Sequence, residues 1–180
     1  MTMEVGSANT FDFNGEIRDD VIPQLSGSRG REVYAKMRSD STVSAIIFAI
    51  EMMLRRSTWQ CLPNNAQDPK ALEYAQFFNT LRDDMDNTWE EFLSQVLSML
   101  TYGWSYFEII AKRRLGYEAA IPSVYDDGMW GIKNLALRSQ DSLDKWDVDE
   151  NGETRGMFQR IYAGPNAGEY YIPLKKALLF

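Results

Sequence analysis

Five groups of residues carry side chains that could do chemistry in this 180-residue chain. Asp126 and Asp127 form an adjacent carboxylate pair, the residue type suited to general acid–base work. They stand within Tyr125-Asp126-Asp127-Gly128-Met129-Trp130, where Asp-Gly is first of all turn chemistry, because glycine takes the positive φ that a bend requires. A solvated hairpin tip is the expectation. Asp83, Asp84 and Asp86 could chelate a cation or meet a basic partner. Placed at the end of a helix, where negative charge opposes the dipole, they read first as an exposed helix-to-helix turn. Lys112-Arg113-Arg114 and Arg55-Arg56 are the dense basic clusters, able to touch phosphate but read first as a solvated loop or an inter-subunit ion pair. Cys61 would need a neighbouring base to act as a nucleophile, and a buried structural thiol is expected of it.

What the sequence lacks narrows the field further. It has no histidine, so no Ser-His-Asp or Cys-His relay and no His-ligated metal can be built. One cysteine makes neither an internal disulfide nor a CxxC site, and nothing indicates secretion. Neither glycine-rich phosphate loop, GxxxxGK[ST] or GxGxxG, occurs. The expectation is therefore no enzyme: no catalytic residue, no cofactor-binding residue, no metal ligand and no cofactor. A formal charge of −7 argues against a dedicated nucleic-acid binder, whose footprint is a basic face. The opening residues, with Glu4, Gly6 and Asn9, do not follow a signal-peptide pattern. The longest apolar run, Ala45 to Leu54, is too short to cross a bilayer and contains Glu51, so a soluble, intracellular protein without membrane contact is expected.

The elements that must position these residues divide the chain. Residues 1–28 are polar and punctuated by Gly, Ser, Asn and Pro23, and they read as an extended N-terminal arm in which Phe11 and Phe13 alternate with polar neighbours. Residues 29–180 read as one domain. Arg31 to Arg38 is a short helix. Asp40 or Ser41 caps a second over 42–56, with Val43, Ile46, Ile47, Ile50, Met53 and Leu54 at helical spacing. Thr58 to Leu62 reads as a strand. Asp68-Pro69 starts a helix over 69–86, with Leu72, Ala75, Phe78, Leu81 and Met85 on one face. Thr88 and Glu91 have capping-box spacing ahead of a helix over 89–101 that should bury Trp89, Phe92, Val96 and Leu100.

After Gly103 the period changes from 3.6 to 2. Strands are expected at 105–112, 132–138, 145–148, 156–162 and 169–172, with turns at Asp127-Gly128, Asn151-Gly152 and Gly164-Pro165-Asn166. On the first of these strands Trp104 and Tyr106 face one side while Phe107 and Ile109 face the other. Such a strand is covered on both faces, as a central core strand or at a subunit interface. Pro173 to Lys176 is a helical turn and 177–180 a further strand. The fold class is α+β: helices packed on an antiparallel β meander.

Three stretches resemble a known family. Arg38-Ser39-Asp40-Ser41-Thr42-Val43 leading a helix that ends before Trp59-Gln60-Cys61-Leu62-Pro63 is similar to the opening of tailed-phage portal proteins. Trp89-Glu90-Glu91-Phe92-Leu93 followed by Tyr102-Gly103-Trp104-Ser105-Tyr106-Phe107-Glu108 is similar to their helix-to-strand turn. Arg138-Ser139-Gln140-Asp141, then Ile172-Pro173 and Lys176-Ala177-Leu178-Leu179-Phe180, resembles the Mu-like portal group. The order of motifs runs from residue 30 to 180. Ser41 departs from a frequent proline, and the long stem helices and clip of portals have no counterpart, so the resemblance is to the wing side and implies a piece of a longer chain. It implies a structural subunit of a homo-oligomeric ring, a dodecamer, at one capsid vertex of the virion, assembled in the host cytoplasm. It also implies the major capsid protein, terminase and tail adaptor proteins as partners, with double-stranded DNA passing through without sequence-specific binding. In such a ring the arm, with Phe11, Phe13, Val21, Ile22 and Leu25, would be ordered by a neighbouring subunit. A stand-alone head-completion or interaction module that forms no ring is the other reading.

Overall fold

The computed structural model describes residues 12–13, 16–17, 25 and 27–180. Most of the expected arm lies outside these. Within it β1 (Asp12–Phe13) and β2 (Glu16–Ile17) form a short antiparallel ladder.

Five helices follow β2, and the caps of α2 to α4 are those the sequence supplies. α1 spans Gly27–Arg38, starting four residues before the expected Arg31. Its Gly30 sits directly on the Leu25 carbonyl, where no Cβ would fit, and the Tyr34 hydroxyl donates to the same carbonyl at 3.1 Å. α2 spans Ser41–Arg55 behind the Asp40 carboxylate, which accepts from the Thr42 and Val43 N–H groups. α3 spans Pro69–Asp83, with Asp68 accepting from Lys70 N–H and proline pre-set at the first turn. α4 spans Trp89–Val96 with a complete capping box: the Glu91 N–H donates to Thr88 Oγ1, and the Thr88 N–H donates to Glu91 Oε2.

The third long helix is not continuous to 101. It breaks at Leu97-Ser98, and α5 (Met99–Tyr102) follows as a separate turn. That break rotates the apolar stripe. Phe92, Leu93, Val96 and Leu97 stay buried, Trp89 is half-buried, and Leu100 is 47% exposed instead of inside. Gly103 then stops the helical half in the left-handed conformation, φ 81°, which glycine adopts without a Cβ penalty.

The strands divide between two three-stranded antiparallel sheets. One has the order β4-β3-β8, from Trp130–Arg138, Tyr106–Arg113 and Ala177–Leu179. The other is a meander, β5-β6-β7, from Leu143–Val148, Thr154–Ile161 and Gly168–Pro173. Each strand expected after Gly103 is present within two residues of its reading, and a 3₁₀ turn at Leu174–Lys176 precedes β8. The Asn151-Gly152 and Gly164-Pro165-Asn166 turns form as expected, with Gly152 at φ 83° and Gly164 at φ 96°.

Thr58 to Leu62 forms no strand, because no strand lies beside it to pair with. Its backbone polar groups are satisfied by side chains of α3 instead. Asn79 accepts from the Cys61 N–H at 2.9 Å and donates to the Cys61 carbonyl at 3.0 Å, and Arg82 donates to the Trp59 carbonyl.

Strand β3 is the centre of the molecule. Phe107 faces α4 and packs with Phe92, Val96 and Leu135, while Tyr106 faces the second sheet and packs with Met157, Ile172 and Ala177. Neither residue has any exposed surface. This is the central-core arrangement: helices, sheet and second sheet stack as three layers about one strand. Phe180 closes one edge, with its N–H and carbonyl both bonded to Ser105 at 3.0 Å and its ring edge-on to Phe92 and Phe107.

Candidate functional site

The sequence-marked charges divide unevenly between the interior and the surface. Asp84 is no part of an exposed turn. It ends α3 as a buried residue, 3.4 Å from the Lys112 ammonium, and accepts from Ser123 Oγ and the Val124 N–H at 2.8 Å each. Lys112 and Arg114, read as a solvated loop, are 4% and 2% exposed; Arg113 between them points outward and lies over the Trp130 ring. The alternation is that of a strand. Positions 112 and 114 face α3 and 113 faces water, and each buried cation has acceptors waiting. Lys112 also donates to the Pro122 carbonyl at 3.0 Å, and Arg114 reaches Thr80 Oγ1 at 2.9 Å and the Asp127 carboxylate at 2.7 Å.

These contacts hold the connection between β3 and β4, residues 114–129, in one shape. Asp126 and Asp127 are exposed but do not form a hairpin tip. The chain folds back on itself, so that Gly128 N–H donates to the Arg114 carbonyl and Arg114 N–H to the Met129 carbonyl, placing Asp127 at the base of the loop. There it neutralises Arg114, whose guanidinium also stacks 4.0 Å above the Tyr125 ring. Asp127 is thereby the counter-ion of Arg114.

The loop's outward side is apolar despite this polar anchoring. Leu115, Tyr117, Ile121, Val124 and Trp130 are all exposed. A second apolar surface runs over the helices. α2 buries no residue, although ten of its fifteen residues are apolar: Val43, Ile47, Ile50 and Leu54 are partly covered, while Ile46, Phe48 and Met53 stand between 58% and 66% exposed. Leu72 and Phe78 of α3, expected inside, are exposed as well, and Tyr74 beside them is too. A helix this apolar ordinarily packs on both flanks, so a bare face of this size stands out from an ordinary solvated one.

Arg55 and Arg56 close α2 and line a cleft with Trp59 and Trp89. Cys61 is exposed on the extended segment beside it, not buried. Its neighbours Asn79 and Arg82 hold the backbone, which leaves the thiol outside. Gln140 was not singled out by sequence beyond its place in Arg138-Ser139-Gln140-Asp141. It is buried and donates to Ser98 Oγ at 2.8 Å and the Trp104 carbonyl at 3.1 Å, tying the α4–α5 break to the start of β3. Arg138 pairs across the ladder with Glu108.

Among the described residues no three His, Cys, Asp or Glu side chains converge on a point, and no helix is long and apolar enough to cross a membrane. The titratable groups with displaced pKa values have structural causes. Burial, then the nearby Tyr171 and Glu108, pushes the Tyr106 hydroxyl up to about 12. N–H groups of the β5–β6 turn, Glu153 first, hold Asp149 below the usual carboxylate range.

The three-layer core uses its buried charges to fix a loop and leaves two apolar surfaces bare. The family described as the portal protein of Mu bacteriophage matches residues 31–180, and the chain belongs to that family. This family is a structural one, located in the phage capsid. Comparison with curated proteins finds no match.

Proposed function

We propose that this chain is the wing side of a portal ring subunit, and that copies of it associate head-to-tail around one capsid vertex. Double-stranded DNA passes through the ring during packaging and ejection. Terminase docks on it first, the tail adaptor replaces terminase later, and the major capsid protein surrounds it. The ring is a dodecamer. The observation that carries this reading is the bare apolar face of α2 and α3 on a chain whose family is that of portals. Two unlike apolar surfaces on one chain, this face and the 114–129 loop, suit a heterologous contact, which closes into a ring when the rotation between neighbours closes. The acidic balance of the chain fits a conduit, which should not grip the polyanion it passes.

Mass photometry of the full-length protein tests the proposal. A dominant species at a single high multiple of the subunit mass is expected, seen as rings by negative-stain microscopy. A concentration-independent monomer would overturn it in favour of an interaction module that forms no ring.

A further inference from the structure

Polar burial in this molecule is concentrated at one place. Among the described residues six polar or charged side chains are buried, and four of them, Asp84, Lys112, Arg114 and Ser123, gather where the end of α3 faces the 114–129 loop. No residue of that loop enters either apolar core cluster.

The loop is gripped at two points. At its base, Arg114 holds Asp127 at 2.7 Å and Thr80 of α3 at 2.9 Å, and its guanidinium lies over the Tyr125 and Phe77 rings, 4.0 Å and 5.2 Å from their centroids. Gly131 lets the arginine stem pass, since a Cβ there would lie 3.1 Å from it. At the middle of the loop, Lys112 donates to the Pro122 carbonyl, and Asp84 accepts from the Ser123 hydroxyl and the Val124 N–H.

What holds the loop therefore differs from what holds the core. Separating core residues such as Phe107 and Met157 would give buried apolar surface to water, which the hydrophobic effect opposes. The apolar residues of the loop, Leu115, Tyr117, Ile121 and Val124, are already exposed, so lifting it uncovers little more of them. Its buried charges regain hydration on opening, which offsets much of the lost pairing. A segment held in this way opens at a lower free energy than the core it rests on.

We infer that the 114–129 loop is a charge-latched strap. It opens and closes as one unit against the end of α3 while the three-layer core stays folded, and Arg114 is the positioning residue that keeps it shut. The apolar outside of the loop is one fixed surface only in the closed state. The strap is a property of the single chain, with or without a ring.

Hydrogen exchange of the full-length protein in sub-denaturing urea tests this, each variant being compared at the oligomeric state of the parent. The Gly116 and Ser123 N–H groups are bonded within the loop, and the Gly128 N–H to Arg114 at its base. Peptides covering 115–128 should exchange at least about tenfold faster than those of β3, at a rate nearly independent of urea, because a local opening exposes little surface. β3 should show the steep urea dependence of global unfolding. Arg114→Met should speed the loop by at least about another tenfold and keep its shallow slope. Lys175→Met, at an exposed position of the 174–176 turn, should leave the loop unchanged. Asp127→Asn keeps the arginine and removes its counter-ion, and should act in the same direction as Arg114→Met but less. Loop exchange with the urea slope of β3, or a loop rate unmoved by Arg114→Met, would overturn the inference. So would loss of the native circular-dichroism spectrum in both Arg114→Met and Asp127→Asn, because these charges would then hold the core itself.

Discussion

The Lys112 ammonium lies 3.4 Å from the Asp84 carboxylate, and both side chains are almost wholly removed from water. A buried pair of this kind is weak evidence for net stability, yet breaking it strands the surviving charge, at a cost of about 3–5 kcal/mol. Asp84→Ala also removes the acceptor of the Ser123 hydroxyl and of the Val124 N–H, which anchor the 114–129 loop. Urea unfolding of Asp84→Ala, Lys112→Ala and the double variant should show strong coupling, the second substitution costing far less once the first is made. Additive losses would mean that the two groups do not depend on each other.

Phe92 and Leu100 were both expected in the core from one periodic stripe, and the structure separates them. Phe92 is 3% exposed among Trp89, Phe107 and Phe180. Phe92→Ala should cost about 3–5 kcal/mol, through lost burial and the cavity left behind. Leu100→Ala, on the exposed side of α5, should stay within about 0.5 kcal/mol of the parent chain. Thermal melts of the two variants check both values; equal losses would mean that α4 continues unbroken through Ser98.

The contrast shows what a one-dimensional reading can reach here. Caps are local chemistry, so Asp40, Asp68 and the Thr88–Glu91 box located the helix starts to within one residue. Strand alternation likewise located the β half and the two-sided covering of Tyr106 and Phe107. Apart from helix ends such as the start of α1, the misses are tertiary. A charged residue reads as solvated until a partner from 28 residues away is brought beside it, as β3 brings Lys112 to Asp84. A stripe continues on paper through a helix break such as that at Leu97-Ser98. An extended run reads as a strand whether or not another strand lies beside it, and at Cys61 the partner is the side-chain amide of Asn79. The bare face of α2 could not be foreseen either, because apolar spacing is the same whether the helix packs inside one chain or between two.

Tyr106 links the two sheets by donating its hydroxyl proton to the Ile172 carbonyl at 2.9 Å. Its pKa is raised from 10.0 to about 12, so the folded state favours the protonated phenol more than the unfolded state does. That contribution is fully present below pH 10 and is lost as pH rises from 10 towards 12. Chemical unfolding at pH 9 and pH 11 should show a loss of stability that is smaller in Tyr106→Phe. The variant itself should cost about 0.5–1.5 kcal/mol at neutral pH from the missing hydrogen bond. An unchanged alkaline loss in Tyr106→Phe would assign it to other groups.

Ile46 and Phe48 separate folding from assembly. Both stand on α2 with roughly six-tenths of their surface exposed, while Val43, Ile47, Ile50 and Leu54 on the same helix are the ones that turn inward. A polar substitution on the outer side removes little intrachain packing, so Ile46→Asp and Phe48→Asp should each change the stability of the single chain by about 0.5 kcal/mol or less. In an assembled ring the same carboxylate would be buried in an apolar interface with no counter-charge, which is strongly unfavourable. The full-length double variant should therefore melt like its parent as a monomer yet give few or no rings by mass photometry. Changing Lys175 to Glu, on an exposed position away from both apolar surfaces, provides the comparison for added negative charge. If the Ile46→Asp, Phe48→Asp protein assembles as well as its parent, this face is not where neighbours meet. The pairing of this face with the outer side of the 114–129 loop, at Tyr117, Ile121 and Trp130, would then be ruled out as the contact that closes the ring.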